Sequence, residues 1–204
     1  MKRFAIFMGA PFKEELRLNI RNKFSQWSDR EKNEADAKIL SKLKLRLSDF
    51  SSNWKLQYGE LPILGLYLPL KHEPDVLEIL DWNLSRPSFP IMKNKELHIM
   101  EYCYFKGKKS ELTASGYFFK TDDRRICEPD VILVPGLAFD FKGYRLGQGK
   151  GYFDLYLAQH ECLSIGLCYS WQMQEKIGAQ NHDKKMHMVI TEDEILQLKK
   201  NEFL

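Results

Sequence analysis

Residues 130–154 read DVILVPGLAFDFKGYRLGQGKGYFD, and this segment decides the expected fold. It begins with a short apolar run at residues 131–134, which is typical of a strand buried on both faces of a sheet. Pro135 and Gly136 then end the strand, because proline has no backbone N–H to donate and glycine turns freely. Residues 152–158 are predicted to form a helix. The segment therefore predicts a strand, a loop and a helix in succession.

The loop between this strand and this helix has the composition of an anion-binding site. Gly147, Gly149 and Gly151 stand at alternate positions, and each of them costs backbone entropy on folding. Bare backbone N–H groups can approach an anion closely, particularly at a helix N-terminus. Arg145 and Lys150 add positive charge to the same run. We therefore predict a phosphate-binding loop, and the local pattern leaves a basic surface turn open as the alternative.

Two common phosphate motifs do not fit this loop. A P-loop carries Ser or Thr after its Gly-Lys pair, whereas Gly151 follows Lys150 here. A dinucleotide fingerprint has its third glycine three residues after the second, and that position is Tyr152. The loop is therefore neither a Walker nor a Rossmann motif.

The run as a whole resembles the 5-formyltetrahydrofolate cyclo-ligase family, also called methenyltetrahydrofolate synthetases. The family pattern has Pro-Gly, an aromatic-aspartate pair and Gly-x-Arg-Leu-Gly-x-Gly-x-Gly-Tyr-Tyr-Asp, and this chain matches it at residues 135–136, 139–140 and 143–154. Phe153 stands where the family has its second Tyr, so a ring is kept and a hydroxyl is lost. The resemblance implies that ATP binds to this loop, at Arg145, Leu146, Gly147, Gln148, Gly149, Lys150, Gly151, Tyr152 and Phe153.

Lys13 and Arg17 are four residues apart on a predicted helix, so they share one face. Spacing alone is compatible with a pair that holds one anion and with an ordinary solvated basic face. The resemblance favours the first, because the family carries a Lys-x-x-x-Arg pair on its first helix that contacts ATP phosphates. We therefore expect both side chains at the ATP site.

A second substrate position is expected after the strand predicted at residues 63–68. Tyr67, Pro69 and Glu73 match the family pattern Tyr-x-Pro-x-x-x-Glu. The resemblance implies that Glu73 and Leu68 contact the folate, together with Lys150, Gly151 and Tyr152 of the loop. A carboxylate suits this task because it can accept paired N–H groups from a pterin edge. The alternative role of Glu73 is to offset the dipole of a following helix.

The resemblance also implies a Mg²⁺ site at Asp154 and Asp183, because Mg²⁺ prefers carboxylate, phosphate and water oxygens. Spacing alone leaves Asp154 open as a first-turn helix carboxylate. His182, Asp183 and His187 allow another interpretation, since two histidines and a carboxylate can hold a transition metal. Their spacing is not that of a helical histidine pair, and a solvated polar loop explains them equally well.

The reaction that the resemblance implies is the ATP-dependent conversion of 5-formyltetrahydrofolate to 5,10-methenyltetrahydrofolate, through a phosphorylated formyl group. Two alternatives stay open at this point. One is a sugar-phosphate isomerase or acyl-CoA-handling protein on a related sheet, which needs no ATP. The other is a protein that binds a nucleotide or folate without catalysis.

Strands separated by helical segments predict an α/β domain. The resemblance specifies a three-layer Rossmann-like sandwich with a largely parallel central sheet flanked by helices, as one domain over residues 1–204 in which residues 1–11 are an extension without an inferred role. Several elements are expected around the central segment: a helix at residues 12–27, a second helix from the capping box at residues 28–31, a loop at residues 51–53, a helix after residue 75, strands at residues 87–92, 97–105 and 163–169, and a C-terminal helix from the capping box at residues 191–194.

The bulk composition excludes several classes of protein. The chain has 204 residues, 44% of them hydrophobic and 29% charged, which is ordinary for one globular domain. A net charge of +3 is too small to indicate a nucleic-acid partner. Residues 4–10 are too short a run for a signal peptide, and no apolar run approaches a membrane span. Four scattered cysteines without a C-x-x-C pair favour a reduced cytoplasmic protein, with disulfides not excluded, and we expect a monomer or weak homodimer.

Overall fold

The structure is a computed structural model that describes residues 9–122, 124–178 and 183–198. Its centre is an eight-stranded sheet flanked by helices, as expected, and three of these are α-helices. The helices are α1 (Gly9–Phe24), α2 (Asp29–Tyr58) and α3 (Tyr152–Gln159). The strands are β1 (Ile63–Gly65), β2 (Arg86–Asn94), β3 (Ile99–Tyr104), β4 (Ala114–Ser115), β5 (Phe118–Phe119), β6 (Ile126–Cys127), β7 (Val131–Pro135), β8 (Ala138–Asp140), β9 (Arg145–Leu146), β10 (Leu163–Leu167), β11 (Met173–Gln174), β12 (Met188–Ile190) and β13 (Ile195–Gln197).

The sheet runs in the order β13-β12-β10-β7-β1-β2-β3-β6. The five strands from β12 to β2 are mutually parallel, and the strands at both edges are antiparallel. Two small sheets accompany it, with β8 between β11 and β9 in one and the β4–β5 hairpin as the other. The largely parallel sheet predicted from the sequence is confirmed, with antiparallel pairs added at its edges.

Strand β7 is the centre of the sheet, as its sequence predicts. All five of its residues are buried, and it pairs in parallel with β1 on one side and β10 on the other. Layers on both faces explain the unbroken apolar run. A Cβ on Gly166 of β10 would lie 2.5 Å from the Phe139 ring, so this glycine is required by close packing.

Helix α2 is longer than the sequence analysis predicts. Its capping box forms at Ser28 and Glu31, as expected. Residues 51–53, predicted as a loop, lie inside the helix, and that prediction is wrong. Aromatic rings spaced four residues apart explain the continuation, because Phe50 stacks on Trp54 at 5.4 Å and Trp54 contacts Tyr58 at 4.3 Å. The helix ends at Gly59, which adopts a left-handed conformation with a φ of 77°.

The predicted C-terminal helix is also wrong. The side-chain oxygen of Thr191 accepts hydrogen bonds from the backbone N–H groups of Asp193 and Glu194, as a capping residue would. The chain then continues as β13, which pairs antiparallel with β12. Strand β12 has β10 on one side only, and its other edge offers unpaired backbone groups that β13 satisfies.

Smaller differences concern element lengths. Helix α1 begins at Gly9 and ends at Phe24, which is earlier at both ends than predicted. The helix expected after residue 75 is a short 3₁₀-helix, Leu77–Asp81. In the described ranges no helix is both long and apolar enough to cross a membrane.

Candidate active site

The segments that follow β1, β7 and β10 leave the sheet at the same edge, because these three strands are parallel neighbours. The first of them contains Glu73, the second contains the glycine-rich loop at residues 143–151, and the third returns toward α1. Ligand sites of open α/β sheets form at this edge. The fold therefore brings together residues that are about 70 positions apart in the sequence.

Helix α1 lies across the glycine-rich loop. Leu16 and Ile20 pack against Leu137 and Leu146, in a small apolar core separate from the main one. This packing accounts for the burial of Leu146, whose side chain faces α1. The core fixes one face of α1 over the loop, so the cations on that face are directed toward it.

Three cations at helical spacing on α1 have partners near the loop. Lys13 Nζ lies 3.4 Å from Asp183 Oδ2. Arg17 Nε donates to the carbonyl of Gly147 at 3.0 Å. Arg21 Nη2 donates to Gln148 Oε1 at 3.0 Å. Lys13 and Arg17 therefore share one face, as predicted. Arg21 was not identified in the sequence, although it continues the same spacing by four residues.

Arg145 is the most buried cation of the site, with its side chain 6% exposed. Its Nη1 donates to the carbonyl of Pro135 at 3.1 Å, and its Nη2 pairs with Asp154 Oδ2 at 2.8 Å. The guanidinium group lies 5.4 Å from the ring centroid of Phe153. Phe153, which stands in place of the tyrosine of the family pattern, therefore keeps the aromatic ring that contacts Arg145.

Gly147 and Gly151 illustrate the two geometric reasons for glycine in this loop. A Cβ on Gly147 would lie 2.7 Å from Arg145 Nη1, in the space of the buried guanidinium. Gly151 has a φ of 72° and precedes the first turn of α3, where a side chain would be strained. The loop therefore reaches the N-terminus of α3 with little side-chain bulk over its backbone.

Glu73 faces the loop from the turn after β1. It is 2% exposed, and its Oε2 accepts a hydrogen bond from its own turn, from Leu70 N at 3.0 Å. Burial raises the pKa of the Glu73 carboxyl to about 7, against hydrogen bonds from Leu70 and Gln148 and the charge of Arg145, which lower it. A carboxyl of this kind changes its charge near neutral pH.

One pocket joins Glu73 to the glycine-rich loop. Its polar lining comes from Glu73, Arg145, Gln148 and Lys150. Its apolar lining includes the rings of Tyr117, Phe118, Tyr152 and Phe153, with Pro90, Met100 and Pro135. Flat rings and a single buried carboxyl suit a flat heterocycle with N–H groups at one edge.

Some of the predicted site residues lie outside this pocket. Leu68 is buried in the main core and does not line the pocket. Asp154 and Asp183 are held by Arg145 and Lys13, respectively. His187 Nδ1 contacts Ser164 N at 3.1 Å and lines a separate depression, and His182 lies outside the described residues. Among the described residues, no group of three or more His, Cys, Asp or Glu could hold a metal ion.

The β4–β5 hairpin contributes residues that the sequence analysis did not identify. Tyr117 and Phe118 line the pocket, and the Phe118 ring contacts Tyr152 edge-on at 5.0 Å. This region carries no recognisable motif. Ala114 pairs with Phe119 and Ser115 with Phe118, and Tyr117 lies in the turn between these two strands, so the hairpin places both rings at the pocket.

Comparisons with known proteins place these observations in a family. A sequence model of the 5-formyltetrahydrofolate cyclo-ligase family matches residues 12–192. The mouse protein named 5-formyltetrahydrofolate cyclo-ligase is 41% identical over 70 residues, which are 31% of this chain and 34% of that protein. The match therefore spans about a third of that relative. The protein of the same name from Mycolicibacterium smegmatis is 31% identical over 137 residues, 61% of this chain and 71% of that one.

A solved structure has the same fold. It is that of a 5,10-methenyltetrahydrofolate synthetase from Mycoplasma pneumoniae, with a TM-score of 0.65 and 25% sequence identity. The similarity covers 88% of this chain and 98% of the other.

Proposed function

The chain belongs to the 5-formyltetrahydrofolate cyclo-ligase family, and on that premise we propose that it converts 5-formyltetrahydrofolate to 5,10-methenyltetrahydrofolate with ATP. The observation that carries the proposal is the single pocket that joins buried Glu73 to the glycine-rich loop. One wall suits a pterin and the other suits a phosphate chain. A reaction between the two substrates needs this adjacency.

The folate is assigned to the wall that contains Glu73. The pterin edge donates N–H groups to the Glu73 carboxylate, and its faces lie against Phe118, Tyr152 and the other rings of the pocket. A neighbouring groove shares Tyr152 and Lys150 with the pocket and continues to Lys120 and Arg124. This groove suits the benzoyl-glutamate end of the substrate, whose carboxylates would meet its cations.

The triphosphate is assigned to the wall formed by the glycine-rich loop and α1. Backbone N–H groups at residues 147–151 and the N-terminus of α3 face anionic oxygens. Lys13, Arg17, Arg145 and Lys150 supply the compensating charge. Arg17 and Arg145 are already held in place by the carbonyls of Gly147 and Pro135, respectively.

Asp154 and Asp183 have the donor chemistry that Mg²⁺ selects, since it binds one or two carboxylates together with phosphate oxygens and water. Each is paired here with a cation assigned to the phosphates, at 2.8 Å for Asp154 and 3.4 Å for Asp183. Phosphates that attract Arg145 and Lys13 would therefore leave both carboxylates available. Bound there, Mg²⁺ would neutralise charge on the phosphate oxygens.

The proposed chemistry activates a poor leaving group. The formyl oxygen attacks the γ-phosphorus, the bond from phosphorus to the bridging oxygen of ADP breaks, and an imidate phosphate forms. N10 then attacks the formyl carbon and closes the ring. N10 loses its proton and the C–O bond to phosphate breaks, which gives the methenyl product, ADP and inorganic phosphate. The protein's contribution is positioning and charge neutralisation.

An absorbance assay for methenyltetrahydrofolate tests the proposal directly. Purified protein should form the product from 5-formyltetrahydrofolate only with ATP and Mg²⁺ present, and one ADP should appear for each product. Product formation without ATP would exclude the phosphorylation step. ADP release with sugar phosphates but not with the folate, or folate binding without product, would favour one of the two alternatives raised by the sequence.

We also propose a cytoplasmic, reducing setting and a monomer or weak homodimer. All four cysteines are free, and three of them are buried. Burial raises the pKa of the Cys127 thiol to about 11, which keeps it protonated and unreactive near neutral pH.

A further inference from the structure

His72 lies where three segments of the site meet. It belongs to the turn of residues 70–73 that contains Glu73, and its Nε2 is 4.0 Å from Glu73 Oε1. Its ring packs edge-on against Phe24 of α1, with centroids 6.2 Å apart. Its Nε2 also contacts Nε2 of Gln148 in the glycine-rich loop. Neither the family pattern nor the proposed chemistry assigns this histidine a role.

The hydrogen bonds around Gln148 fix which atoms donate. Arg21 Nη2 can only donate, so the atom of Gln148 that it meets at 3.0 Å is the oxygen. The atom that faces His72 is therefore the amide nitrogen, which can only donate. It follows that His72 Nε2 accepts and carries no proton, and that the ring is neutral with its proton on Nδ1.

The electrostatics of the turn agree with a neutral ring. Burial, and then the charge of Arg21, lower the pKa of the His72 imidazole below its ordinary value. A neutral ring near pH 7 follows, so the 4.0 Å approach to Glu73 is not an ion pair. The role of His72 here is to accept a hydrogen bond.

Gln148 also lines the pocket beside Glu73, and its amide lowers the pKa of that carboxyl. The amide nitrogen of Gln148 therefore contacts His72, on the side of the pocket that contains Glu73, while its oxygen is held by Arg21 of α1. Removal of the acceptor on His72 would leave one N–H of Gln148 without a partner and would free the amide to rotate. The position of the glycine-rich loop would then no longer depend on the orientation of Glu73.

We propose that His72 is a positioning residue that couples the folate and ATP subsites, by orienting Gln148 between Glu73 and the glycine-rich loop. The inference rests on the proposed function, because it presumes that these two substrates occupy the two walls. Coupling of this kind passes through a contiguous hydrogen-bond network, and each ligand then tightens the other by the same factor.

The test measures that factor by calorimetry with 5-formyltetrahydrofolate and a non-hydrolysable ATP analogue. In the unaltered protein, saturation with one ligand should tighten the other about tenfold, within the usual range of coupling between sites. His72→Phe keeps a ring against Phe24 but has no acceptor, and it should reduce the factor to near one. His72→Gln places an oxygen near the position of Nε2 and should restore most of the coupling.

Two controls separate positioning from general damage. His160 stacks on Tyr156 at the end of α3, with centroids 4.0 Å apart, and His160→Phe should leave the coupling unchanged. Each single-ligand affinity of His72→Phe should change less than the coupling does. In the assay, KM for both substrates should rise more than kcat falls.

The outcomes distinguish failure of the inference from failure of the proposed function. Undiminished coupling in His72→Phe would overturn the inference while the proposed function stands. Equal loss in His72→Phe and His72→Gln would also overturn it, because packing and not the acceptor would then matter. Absence of folate binding or product in the unaltered protein would overturn the proposed function and the inference with it.

Discussion

The Glu73 wall and the phosphate wall of the site differ in how their charged groups are stabilised. Glu73 is a single carboxyl, 2% exposed, whose pKa is raised to about 7 because burial outweighs its hydrogen bonds. On the phosphate side two of the assigned cations are paired with carboxylates, Arg145 with Asp154 at 2.8 Å and Lys13 with Asp183 at 3.4 Å. A ligand that donates hydrogen bonds to Glu73 would stabilise its charged form. On the phosphate side, a bound ligand would replace the side-chain partners of the cations with phosphate oxygens. Loss of charge should therefore have different consequences on the two walls.

The largest effect is expected from Arg145→Met. The change leaves Asp154 and the Pro135 carbonyl without their shared donor and removes a buried positive charge from the phosphate wall. We expect kcat/KM for methenyl product to fall about 1000-fold, as for a transition-state donor. Lys142 is an exposed cation in the same segment, and Lys142→Met is the matched control. Similar losses in both variants would show that general charge, and not Arg145, matters.

The next largest effect concerns stability and pH. The pKa of Glu73 is raised in the folded state from 4.5 to about 7, so the folded protein binds more protons than the unfolded chain between these values. Stability from this group is complete below pH 4.5 and is lost as the pH rises through 7. The difference of about 2.5 pKa units corresponds to roughly 3 kcal/mol. Urea unfolding of the unaltered protein should show this decline relative to Glu73→Gln between pH 5 and 8, and parallel curves would contradict the raised pKa.

Glu73→Gln should also weaken folate binding without affecting the phosphate wall. It replaces hydrogen bonds to a charged acceptor, which contribute about 1.5–3 kcal/mol, by neutral ones. We expect KM for 5-formyltetrahydrofolate to rise roughly 10- to 100-fold, with KM for ATP changed much less. Glu78→Gln, at an exposed residue five positions later, is the control. A larger change in KM for ATP than for the folate would reverse the assignment of the walls.

The smallest of these effects is expected from Asp154→Asn. The side chain keeps its shape and loses the charge that Mg²⁺ selects, so the Mg²⁺ concentration for half-maximal activity should rise about tenfold. The exposed Asp49 of α2 gives the control Asp49→Asn. Full activity with an unchanged Mg²⁺ requirement would exclude Asp154 as a Mg²⁺ ligand. Its role would then be that of an ion-pair partner of Arg145 and a carboxylate in the first turn of α3.

Two segments with the same capping-box pattern have different structures, since only one of them begins a helix. Ser28 with Glu31 begins α2, whereas Thr191 with Glu194 closes a turn between two strands. The local hydrogen bonds form in both places. The difference arises from the neighbours, because residues after Ser28 bury an apolar stripe and residues after Thr191 lie beside the open edge of β12.

The candidate site was predicted best where the chain carries a dense local motif. The glycine-rich loop lies between β8 and α3, as its motif indicated, and Lys13 with Arg17 faces it from α1, as helical spacing indicated. Helical spacing could also have identified Arg21. Tyr117 and Phe118 could not have been found, because the short hairpin that brings them to the pocket has no signature in the sequence.

The sequence alone determined the parallel sheet around β7 and the glycine-rich loop after it, because apolar runs and glycines constrain the backbone locally. Only the tertiary structure decided that the C-terminal segment is a strand, that residues 51–53 are helical and that Glu73 lies opposite Arg145 with a pKa near 7. These features depend on which surfaces meet across long separations in the chain. Burial and partner geometry set them, and neither is a property of any one segment.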